Sequence, residues 1–511
     1  MIERLHRIQD QQGYLTLDDL DVLGAELILP RAAVYEVATF YHGFRIREAA
    51  SDPKPVLQVC TSLACHIVGA PERLEVLREA FGGQFEVEGV ACLGRCEAAP
   101  CGRVRQQVLT DLEPDAVAEV LAAPPPKDRP VIDFDAYLAE GGYHRLQALV
   151  RGETDADWVL GVLHEAGLRG LGGAGFPTGR KWTAVRAETG PKLMAVNSDE
   201  SEPGTFKDRV HLETDPHRVL EGMLIGAITV GAEACYFFLR DEYDHIRRIL
   251  ETEIPKLAAL GLKLPRIELR RGAGNYICGE ESAMLEALEG KRGLPRQKPP
   301  YPSQVGLFDR PTLINNVETL YWIRALLENG PDWFAGFGRN GRKGLRSFSV
   351  SGRVAEPGMK VAPAGISLRE LIEEHCGGMA PGHTLKAFLP GGASGGILPA
   401  YLADQPLDFG TLEEHGGMIG SAAVIVLSDK DDLADAARNL MAFFKHESCG
   451  QCTPCRVGTG KALALMHAPS WNAPLLTELG ACMTDASICG LGQAAPNVFK
   501  SLLRHFPEEV R

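Results

Sequence analysis

The sequence predicts a multidomain α/β protein whose α/β domains lie between a helical N-terminal segment and a helical C-terminal segment. A chain of 511 residues is too long for one hydrophobic core, and its 45% hydrophobic and 23% charged residues are typical of globular proteins. Apolar residues recur at helical spacing near both ends, whereas apolar strands alternate with helices in between. The stiff, polar run AAPPPKDRP indicates a linker, which we place at 123–131.

The part before this linker predicts a small helical bundle and a compact α/β unit. In residues 1–50 the segments LHRIQDQQ, LTLDDLDVLGAEL and PRAAVYEVATFY have helical spacing, and Pro30 is suited to begin the third helix. Short helices of this kind also occur in helix-turn-helix domains, an alternative that the acidic charge balance disfavours. Residues 54–122 have the order strand (PVLQVC), helix (PERLEVLREAF), strand (FEVEGVAC), loop and helix (EPDAVAEVLAA).

Three further domains are predicted after the linker. Residues 132–344 alternate helices with the apolar strands KLMAVN, ACYFFLR and KLPRIELR, which predicts an open α/β domain. Residues 345–430 are rich in strands, and residues 431–511 have helical spacing. No internal period of about 20 to 50 residues recurs, so a solenoid is not expected.

Charge and hydropathy exclude two classes of function. The formal net charge of -14, without a cluster of lysine and arginine, argues against electrostatic binding of nucleic acid. The longest apolar run, GMLIGAITVGA at 222–232, falls short of the about 20 residues that span a bilayer and predicts a buried helix. The charged N-terminus lacks the apolar core of a secretory signal, so we expect a cytoplasmic protein with no membrane span.

Four cysteines near the C-terminus predict a [4Fe-4S] cluster. Thirteen cysteines in a cytoplasmic chain should stay reduced, so their spacing is informative. Cys449, Cys452 and Cys455 form an overlapping C-x2-C-x2-C triplet, and Cys489 in a later loop supplies a fourth thiolate. A zinc site is the alternative, although zinc usually takes paired C-x2-C units. Cys482 lies in a helical stretch and is predicted to be a packed core thiol.

Four cysteines near the N-terminus predict a [2Fe-2S] cluster. The spacings C-x4-C and C-x3-C each follow a predicted strand, so two loops supply two thiolates apiece, from Cys60 and Cys65 and from Cys92 and Cys96. Zinc also satisfies the bond count, and Cys101 is a nearby alternative ligand. The remaining single cysteines are predicted core residues: Cys235, Cys278 and Cys376. Two clusters imply the transfer of single electrons. A redox group that exchanges two electrons is therefore also expected.

A glycine-rich stretch, GLRGLGGAGFPTGRKW, matches the G-x-G-x-x-G spacing of a dinucleotide-binding turn at Gly170, Gly172 and Gly175. That motif requires a preceding strand. Residues 155–167 instead have helical spacing and end in glycine, which is typical of a helix C-terminus. The dinucleotide-binding context is therefore absent.

Other polar segments nevertheless predict one shared pocket. NSDESEPGTFKDR follows a strand, where ligands bind in α/β sheets, and GAGNYICGEES is expected to open a helix with exposed N–H groups. The segments KPPY and PTLINNVET add a cation, an aromatic ring and amides. Together they indicate a phosphorylated aromatic cofactor beside a nicotinamide-bearing ligand.

These motifs, with ESCGQCTPCR, resemble the NADH-oxidising flavoprotein subunit of respiratory complex I and its relatives. The first 122 residues resemble that enzyme's separate thioredoxin-like [2Fe-2S] subunit. The resemblance covers nearly the whole chain. It implies a thioredoxin-like domain at 54–122, an FMN- and NAD-binding domain at 132–344, a β-grasp (ubiquitin-like) domain at 345–430 and a helical [4Fe-4S] bundle at 431–511.

The resemblance also implies the cofactor-binding residues. For FMN they are Gly170, Gly172, Lys181, Asn197, Asp199, Glu200, Tyr276, Glu280, Asn315, Asn316 and Thr319. For NAD they are Phe176, Glu281, Lys298 and Tyr301, where the family commonly has phenylalanine in place of Tyr301. No catalytic acid or base is implied, because hydride passes directly between NAD and FMN.

A chain that joins both subunits resembles the beta subunits of NAD-dependent molybdenum or tungsten formate dehydrogenases and the diaphorase subunits of NAD-reducing hydrogenases. Leu171, where complex I subunits usually have arginine, and the phrases ASICGLGQAA and LPGGASGGILPA favour formate dehydrogenase. This implies a hetero-oligomer with a molybdenum- or tungsten-containing catalytic alpha subunit. The alternatives are a hydrogenase or complex I partner, and a non-catalytic iron-sulfur sensor or scaffold, which the intact flavin segments disfavour.

Overall fold

The computed structural model describes residues 1–47, 54–104, 107–123 and 128–510, so residues 124–127 of the expected linker lie outside the described residues. Its strands form four separate sheets. The architecture is the mixed α/β arrangement that the sequence predicts.

The N-terminal segment is helical and packs against distant parts of the chain. Its elements are α1 (Ile2–Gln12), β1 (Leu15–Thr16), α2 (Leu17–Leu27), α3 (Arg31–Phe40) and β2 (Ile46–Arg47). Thr16 and Asp19 form a capping box that begins α2, and Pro30 precedes the first residue of α3. Leu5, Leu20 and Val34 belong to a hydrophobic core that also contains residues of the C-terminal helices.

The following unit is a thioredoxin-like α/β fold. Its elements are β3 (Val56–Cys60), α4 (Leu63–His66), α5 (Ala70–Phe81), β4 (Glu86–Val90), β5 (Gly102–Val104), β6 (Gln107–Leu109) and α6 (Pro114–Ala122). The strand order is β4-β3-β5-β6, with β3 parallel to β4 and antiparallel to β5. Sequence spacing did not predict the hairpin of β5 and β6, because strands of three residues are too short to show alternation.

The central domain is built on a four-stranded parallel sheet. Its strands are β7 (Lys192–Ser198), β8 (Ala232–Leu239), β9 (Arg266–Arg271) and β10 (Thr312–Asn316). Its helices are α7 (Phe134–Ala139), α8 (His144–Val150), α9 (Ala156–Ala166), α10 (Thr178–Ala187), α11 (Lys207–Thr214), α12 (Pro216–Val230), α13 (Asp244–Glu253), α14 (Glu281–Leu288), α15 (Val317–Asn329) and α16 (Pro331–Ala335).

The strand order β10-β7-β8-β9 places a topological switch point in this sheet. The chain runs outward from β7 through β8 to β9 and then returns to pair β10 on the opposite side of β7. A crevice forms where the connections diverge, outside the carboxyl ends of β7 and β10. The predicted buried helix is confirmed as α12, and no helix among the described residues is long and apolar enough to cross a membrane.

The next domain is a five-stranded sheet covered by one helix. Its elements are β11 (Leu345–Gly352), β12 (Gly358–Pro363), α17 (Leu368–His375), β13 (Leu385–Leu389), β14 (Leu398–Pro399) and β15 (Ala423–Ser428). The order is β12-β11-β15-β13-β14, with the central pair β11 and β15 parallel. Leu368 and Leu371 of α17 pack into one core with Phe348 and Val424 of the sheet.

The C-terminal region is a helical bundle. Its helices are α18 (Leu433–Glu447), α19 (Thr453–Met466), α20 (Ala473–Ala486), α21 (Gly490–Ala494) and α22 (Asn497–His505). The prediction that Cys482 is a core thiol is wrong, because Cys482 is exposed on α20. Leu476 and Met483 form the buried face of that helix. Cys482 directly precedes Met483, and successive residues of an α-helix are rotated by about 100°, so Cys482 lies off the buried face. Cys235, Cys278 and Cys376 are buried, as predicted.

Gly222 allows α12 and α15 to pack closely, and its replacement tests that packing. A Cβ at residue 222 would lie 2.1 Å from the carbonyl oxygen of Leu320. We expect Gly222→Ala to cost about 1 to 3 kcal/mol through overpacking and to lower the midpoint of thermal unfolding. Gly161→Ala in α9 is the matched control, because a Cβ there meets nothing within 4 Å and should not lower the midpoint. Equal midpoints for the two variants would contradict this interpretation.

Candidate functional site

One large cavity opens at the carboxyl ends of β7 and β10. Its volume of about 930 Å³ lies within the range of about 300 to 1,000 Å³ that is usual for ligand and cofactor pockets. The glycine-rich turn before α10, the ends of β7 and β10, the segment before α14 and residues of the C-terminal bundle form its wall. Every residue predicted to bind flavin or nicotinamide lines this cavity, except Thr319.

The glycine-rich turn follows a helix and contacts β10 directly. Helix α9 ends at Gly167, which has a φ of 68°, so the absence of a dinucleotide-binding context is confirmed. Gly170 donates a backbone hydrogen bond to the carbonyl of Phe176 at 2.8 Å. A Cβ at Gly172 would lie 2.9 Å from the Cβ of Asn316, so glycine is needed for this close approach.

Thr319 supports the turn from behind the cavity wall. Its hydroxyl oxygen accepts a hydrogen bond from the backbone N–H of Leu171 at 2.9 Å, and the Thr319 side chain is buried. The side chain of Leu171 packs in the core of the central domain and does not line the cavity. Thr319 therefore fixes the position of the turn, a role that the sequence motif did not indicate.

The carboxyl group of Asp199 is a buried acceptor in the cavity wall. Burial raises the pKa of Asp199 to about 8. Its Oδ2 has no hydrogen-bond partner among the described residues. A buried polar atom without a partner is costly, so this oxygen fits a donor group on a bound ligand.

Glu200 is buried and fully hydrogen-bonded. It accepts backbone hydrogen bonds from Asp208 at 2.8 Å and Arg209 at 3.1 Å, and the hydroxyl of Tyr243 donates to it at 3.0 Å. Burial raises the pKa of Glu200 to about 7. Its contacts fix the turn after β7 against the start of α11.

Two cavity residues between the end of β7 and the first residue of α11 were not singled out from the sequence. Glu202 accepts a hydrogen bond from the backbone N–H of Ser394 at 2.7 Å and another from the hydroxyl of Tyr276. The ammonium group of Lys207 is buried and lies 2.7 Å from Asp208 and 3.1 Å from Glu318. The available signal was their position in EPGTFKDR, directly after a strand.

Charged residues predicted for FMN and for NAD form a connected group at the cavity. The ammonium nitrogen of Lys298 lies 2.7 Å from Glu281 and 3.0 Å from Glu280, and that of Lys181 lies 3.8 Å from Glu281. Burial raises the pKa of Glu281, but the two lysines outweigh burial and hold it below its usual value. Phe176 and Tyr301 remain 46% and 55% exposed, so two aromatic rings are accessible to a stacking ligand.

The start of α14 differs from the sequence prediction. GAGNYICGEES was expected to open a helix with exposed N–H groups, but the chain first forms a 3-10 turn at Tyr276–Gly279. Helix α14 then begins at Glu281, and the carboxylate of Glu280 accepts from the N–H groups of Ser282 and Ala283, both at 2.9 Å. Glutamate at the N-cap position therefore satisfies two of the groups that a phosphate would otherwise use.

The four C-terminal thiols lie between the end of α18 and the first turn of α19, and at the start of α21. All are free; Cys455 and Cys489 are buried, whereas Cys449 and Cys452 are half-buried. Burial raises the pKa of Cys489 to about 12, and the backbone N–H groups of Leu491 and Gly492 oppose this by hydrogen bonding. Gly490 and Leu491, which directly follow Cys489, line the cavity. Four free thiols with N–H donors to sulfur fit an iron-sulfur cluster.

A further contact joins this cysteine loop to the flavin segment. The backbone N–H of Tyr276 donates to Glu447 at 3.0 Å, and Glu447 lies two positions before Cys449. Tyr276 also lines the cavity. The predicted cluster and the predicted flavin site are thus direct neighbours.

Five buried thiols meet in the thioredoxin-like unit. The sulfur atoms of Cys92 and Cys96 are 3.4 Å apart, and those of Cys60, Cys65 and Cys101 lie within 4.8 Å of one another. All five are free. This thiol set fits a [2Fe-2S] cluster, and Cys101 lies as close as the predicted ligands.

Two arginines connect these thiols to the cavity. Arg240 donates to the carbonyl of Cys92 at 2.7 Å and also to the carbonyl of Glu200. Arg209 donates to the carbonyl of Gly94 at 2.9 Å. The loop that contains Cys92 and Gly94 is therefore fixed to the turn that lines the cavity.

Known protein families match three parts of this chain. Residues 1–124 match the thioredoxin-like [2Fe-2S] ferredoxin family, residues 163–325 the Nuo51 FMN-binding domain, and residues 435–511 the NADH-ubiquinone oxidoreductase-F iron-sulfur binding region. The predicted cofactors FMN, [2Fe-2S] and [4Fe-4S], with NADH as substrate, are confirmed at this level.

Individual relatives agree with these matches. The chain is 42% identical to an NADH-quinone oxidoreductase subunit of Rhizobium meliloti, over 74% of this chain and 93% of the relative. It is 39% identical to NADH dehydrogenase [ubiquinone] flavoprotein 1, mitochondrial, of Dictyostelium discoideum, over 74% of this chain and 84% of the relative. A chain in the crystal structure of an NAD+-reducing [NiFe]-hydrogenase in the H2-reduced state superposes with a TM-score of 0.86 and 30% identity, over 99% of this chain and 91% of that chain.

Alanine at Cys489 tests the predicted [4Fe-4S] ligands. We expect Cys489→Ala to remove the [4Fe-4S] signal from electron paramagnetic resonance spectra and to lower the iron content, because one corner of the cluster loses its thiolate. Cys482→Ala is the control, since Cys482 is an exposed cysteine seven positions earlier. An unchanged cluster in Cys489→Ala, or its loss in Cys482→Ala, would contradict this ligand set.

Proposed function

This chain belongs to the family of NADH-oxidising flavoprotein subunits of NADH-quinone oxidoreductase, joined here to a thioredoxin-like [2Fe-2S] domain, and we propose that its electrons are exchanged with a partner subunit that interconverts formate and CO2. The chain is an NADH-oxidising electron-transfer subunit that uses FMN and iron-sulfur clusters. The choice of partner is the part of the function that this proposal adds.

The electron-transfer role is supported by one cavity that extends as far as the predicted [4Fe-4S] ligands. It reaches from the switch point between β7 and β10 to Gly490, the residue after Cys489. FMN bound here would supply the exchange between a two-electron hydride and single electrons for iron-sulfur clusters. A flavin in this cavity would be next to the [4Fe-4S] thiols without an intervening domain.

The chain's residues bind and orient the cofactors in this proposal. The glycine-rich turn would supply backbone against the flavin, Asp199 would offer its unpaired oxygen, and Asn197 and Asn316 would offer their side chains from the ends of two strands. Phe176 and Tyr301 offer aromatic faces for nicotinamide. No residue is assigned as an acid or base, since a transferred hydride carries its own proton.

The formate assignment rests on the joined chain and on local sequence. ASICGLGQAA around Cys489, LPGGASGGILPA and Leu171 resemble formate dehydrogenase beta subunits. The proposed partner is a catalytic alpha subunit containing molybdenum or tungsten, in a hetero-oligomer. The thirteen free thiols are consistent with the reducing cytoplasm, which is the compartment we propose.

A hydrogenase partner is the second candidate. The likeness to the NAD+-reducing [NiFe]-hydrogenase chain extends over 99% of this chain, whereas the likeness to the Rhizobium meliloti relative extends over 74%. That hydrogenase match therefore includes the N-terminal [2Fe-2S] unit within one polypeptide. Both candidates predict the same chemistry in this chain and differ only in the protein that it contacts.

Purification of the native complex distinguishes these partners. We expect the chain to co-purify with a molybdenum- or tungsten-containing subunit and to reduce NAD with formate. NAD reduction with hydrogen and not with formate, together with bound nickel, would replace the formate proposal by the hydrogenase one. Oxidation of NADH by an artificial acceptor, without activity towards either hydrogen or formate, would point to a complex I-type partner.

Glu281 is proposed to select NAD over NADP. The pKa of Glu281 is held low, so its carboxylate remains charged at neutral pH and would repel the 2′-phosphate of NADP. Glu281→Gln also removes the negative charge beside Lys181 and one of the two carboxylates that pair with Lys298, so both lysines would attract that phosphate more strongly. We expect the ratio of kcat/KM for NAD to that for NADP to fall at least about tenfold, equivalent to about 1.4 kcal/mol.

The matched control for this change is Glu286→Gln. Glu286 lies on the same helix and pairs with Arg296 at 2.5 Å, but it does not line the cavity. Its replacement should leave the ratio unchanged. An unchanged ratio in Glu281→Gln would refute the selectivity role.

A further inference from the structure

The thioredoxin-like unit contains one cysteine more than a [2Fe-2S] cluster binds. Cys101 is 1% exposed, and its thiol contacts other thiols, with its sulfur 3.7 Å from that of Cys65. Cys60 completes a group of three whose sulfur atoms all lie within 4.8 Å. Cys92 and Cys96 lie 3.4 Å apart, and Cys60 also contacts Cys92.

The spacing of Cys65 and Cys101 suits two ligands of one metal ion. With metal–sulfur bonds of about 2.3 Å, two thiolates on a tetrahedral metal lie about 3.8 Å apart. The Cys65 and Cys101 sulfur atoms meet this condition at 3.7 Å, as closely as the Cys92 and Cys96 pair at 3.4 Å. An ordinary core thiol would instead be surrounded by carbon atoms.

The sheet fixes Cys101 in this position. Cys101 directly precedes β5, which pairs antiparallel with β3, and β3 ends at Cys60. The backbone N–H of Cys60 donates to the carbonyl of Cys101 at 3.0 Å. The approach of the fifth thiol therefore follows from strand pairing, not from a side-chain rotamer alone.

We propose that Cys101 is a reserve ligand of the [2Fe-2S] cluster and can bind iron in place of Cys65. This inference rests on the proposed ligand set of Cys60, Cys65, Cys92 and Cys96. In the exchange the iron–sulfur bond to Cys65 breaks, the bond to Cys101 forms, and the proton of the Cys101 thiol passes to Cys65. No electron is transferred, and no further reactant is needed.

Alanine variants of the full chain in its native complex test this exchange. Cluster content is measured from the [2Fe-2S] signal in electron paramagnetic resonance and from acid-labile sulfide. We expect Cys65→Ala and Cys101→Ala each to retain the cluster, with an altered visible circular dichroism spectrum in Cys65→Ala only. The double variant should lose cluster content at least about tenfold, since loss of even an outer-shell partner weakens metal binding by that factor.

Cys96→Ala is the matched control, because Cys96 lies outside the group of three mutually close thiols that contains Cys101. It should lose the cluster as fully as the double variant. FMN content and the [4Fe-4S] signal report folding in every variant.

Two results would overturn the reserve role. One is loss of the cluster in Cys65→Ala to the same extent as in the double variant, with FMN retained. The other is loss of the cluster in Cys101→Ala alone, which would make Cys101 an obligatory ligand. Retention of the cluster in Cys96→Ala would instead refute the underlying ligand set, so the two failures are distinguishable.

Discussion

The buried network around Glu200 fixes the position of the large cavity relative to the thiols of the thioredoxin-like unit. Glu200 binds the backbone of Asp208 and Arg209, and the guanidinium of Arg209 reaches across to the carbonyl of Gly94 in the cysteine loop. Arg240 makes a second connection through Cys92. Buried charges are tolerated only when paired and hydrogen-bonded, so these contacts leave little freedom for the loop to move. Electron transfer between two sites depends on such a fixed separation.

The same network explains why Gly94 is glycine. Its φ is +69°, and a Cβ would lie 2.2 Å from the hydroxyl oxygen of Tyr243, which donates to Glu200. Any side chain at this position would have to displace the tyrosine and remove one hydrogen bond from a buried carboxylate. Gly94 in the motif CLGRC thus allows the loop of Cys92 and Cys96 to pack against the turn after β7, although the motif alone suggests only a tight loop.

The sequence predictions succeeded for features set by residues close together in the sequence and failed for contacts between residues far apart in the sequence. Helical spacing placed α9 before the glycine-rich turn and excluded a dinucleotide-binding motif, because periodicity is local. It did not show that β10 returns beside β7, which creates the crevice, since strand pairing across more than 100 residues leaves no local pattern. The capping role of Glu280, the support from Thr319 and the approach of Cys101 to Cys65 likewise arise only after distant segments pack together.

The two cysteine-rich regions belong to one chain, so contacts between them form without the entropic cost of association. One core contains Leu20 and Val34 of the N-terminal helices together with Leu440 and Phe444 of α18, the helix that leads to Cys449. His66 of the cysteine-rich unit also pairs with Asp435 of α18 at 2.6 Å. Separate polypeptides would have to form these contacts by association, at a cost in translational and rotational freedom that a continuous chain largely avoids. The fused chain therefore holds both groups of cysteines and the cavity in one geometry whenever it is folded, whichever partner it contacts.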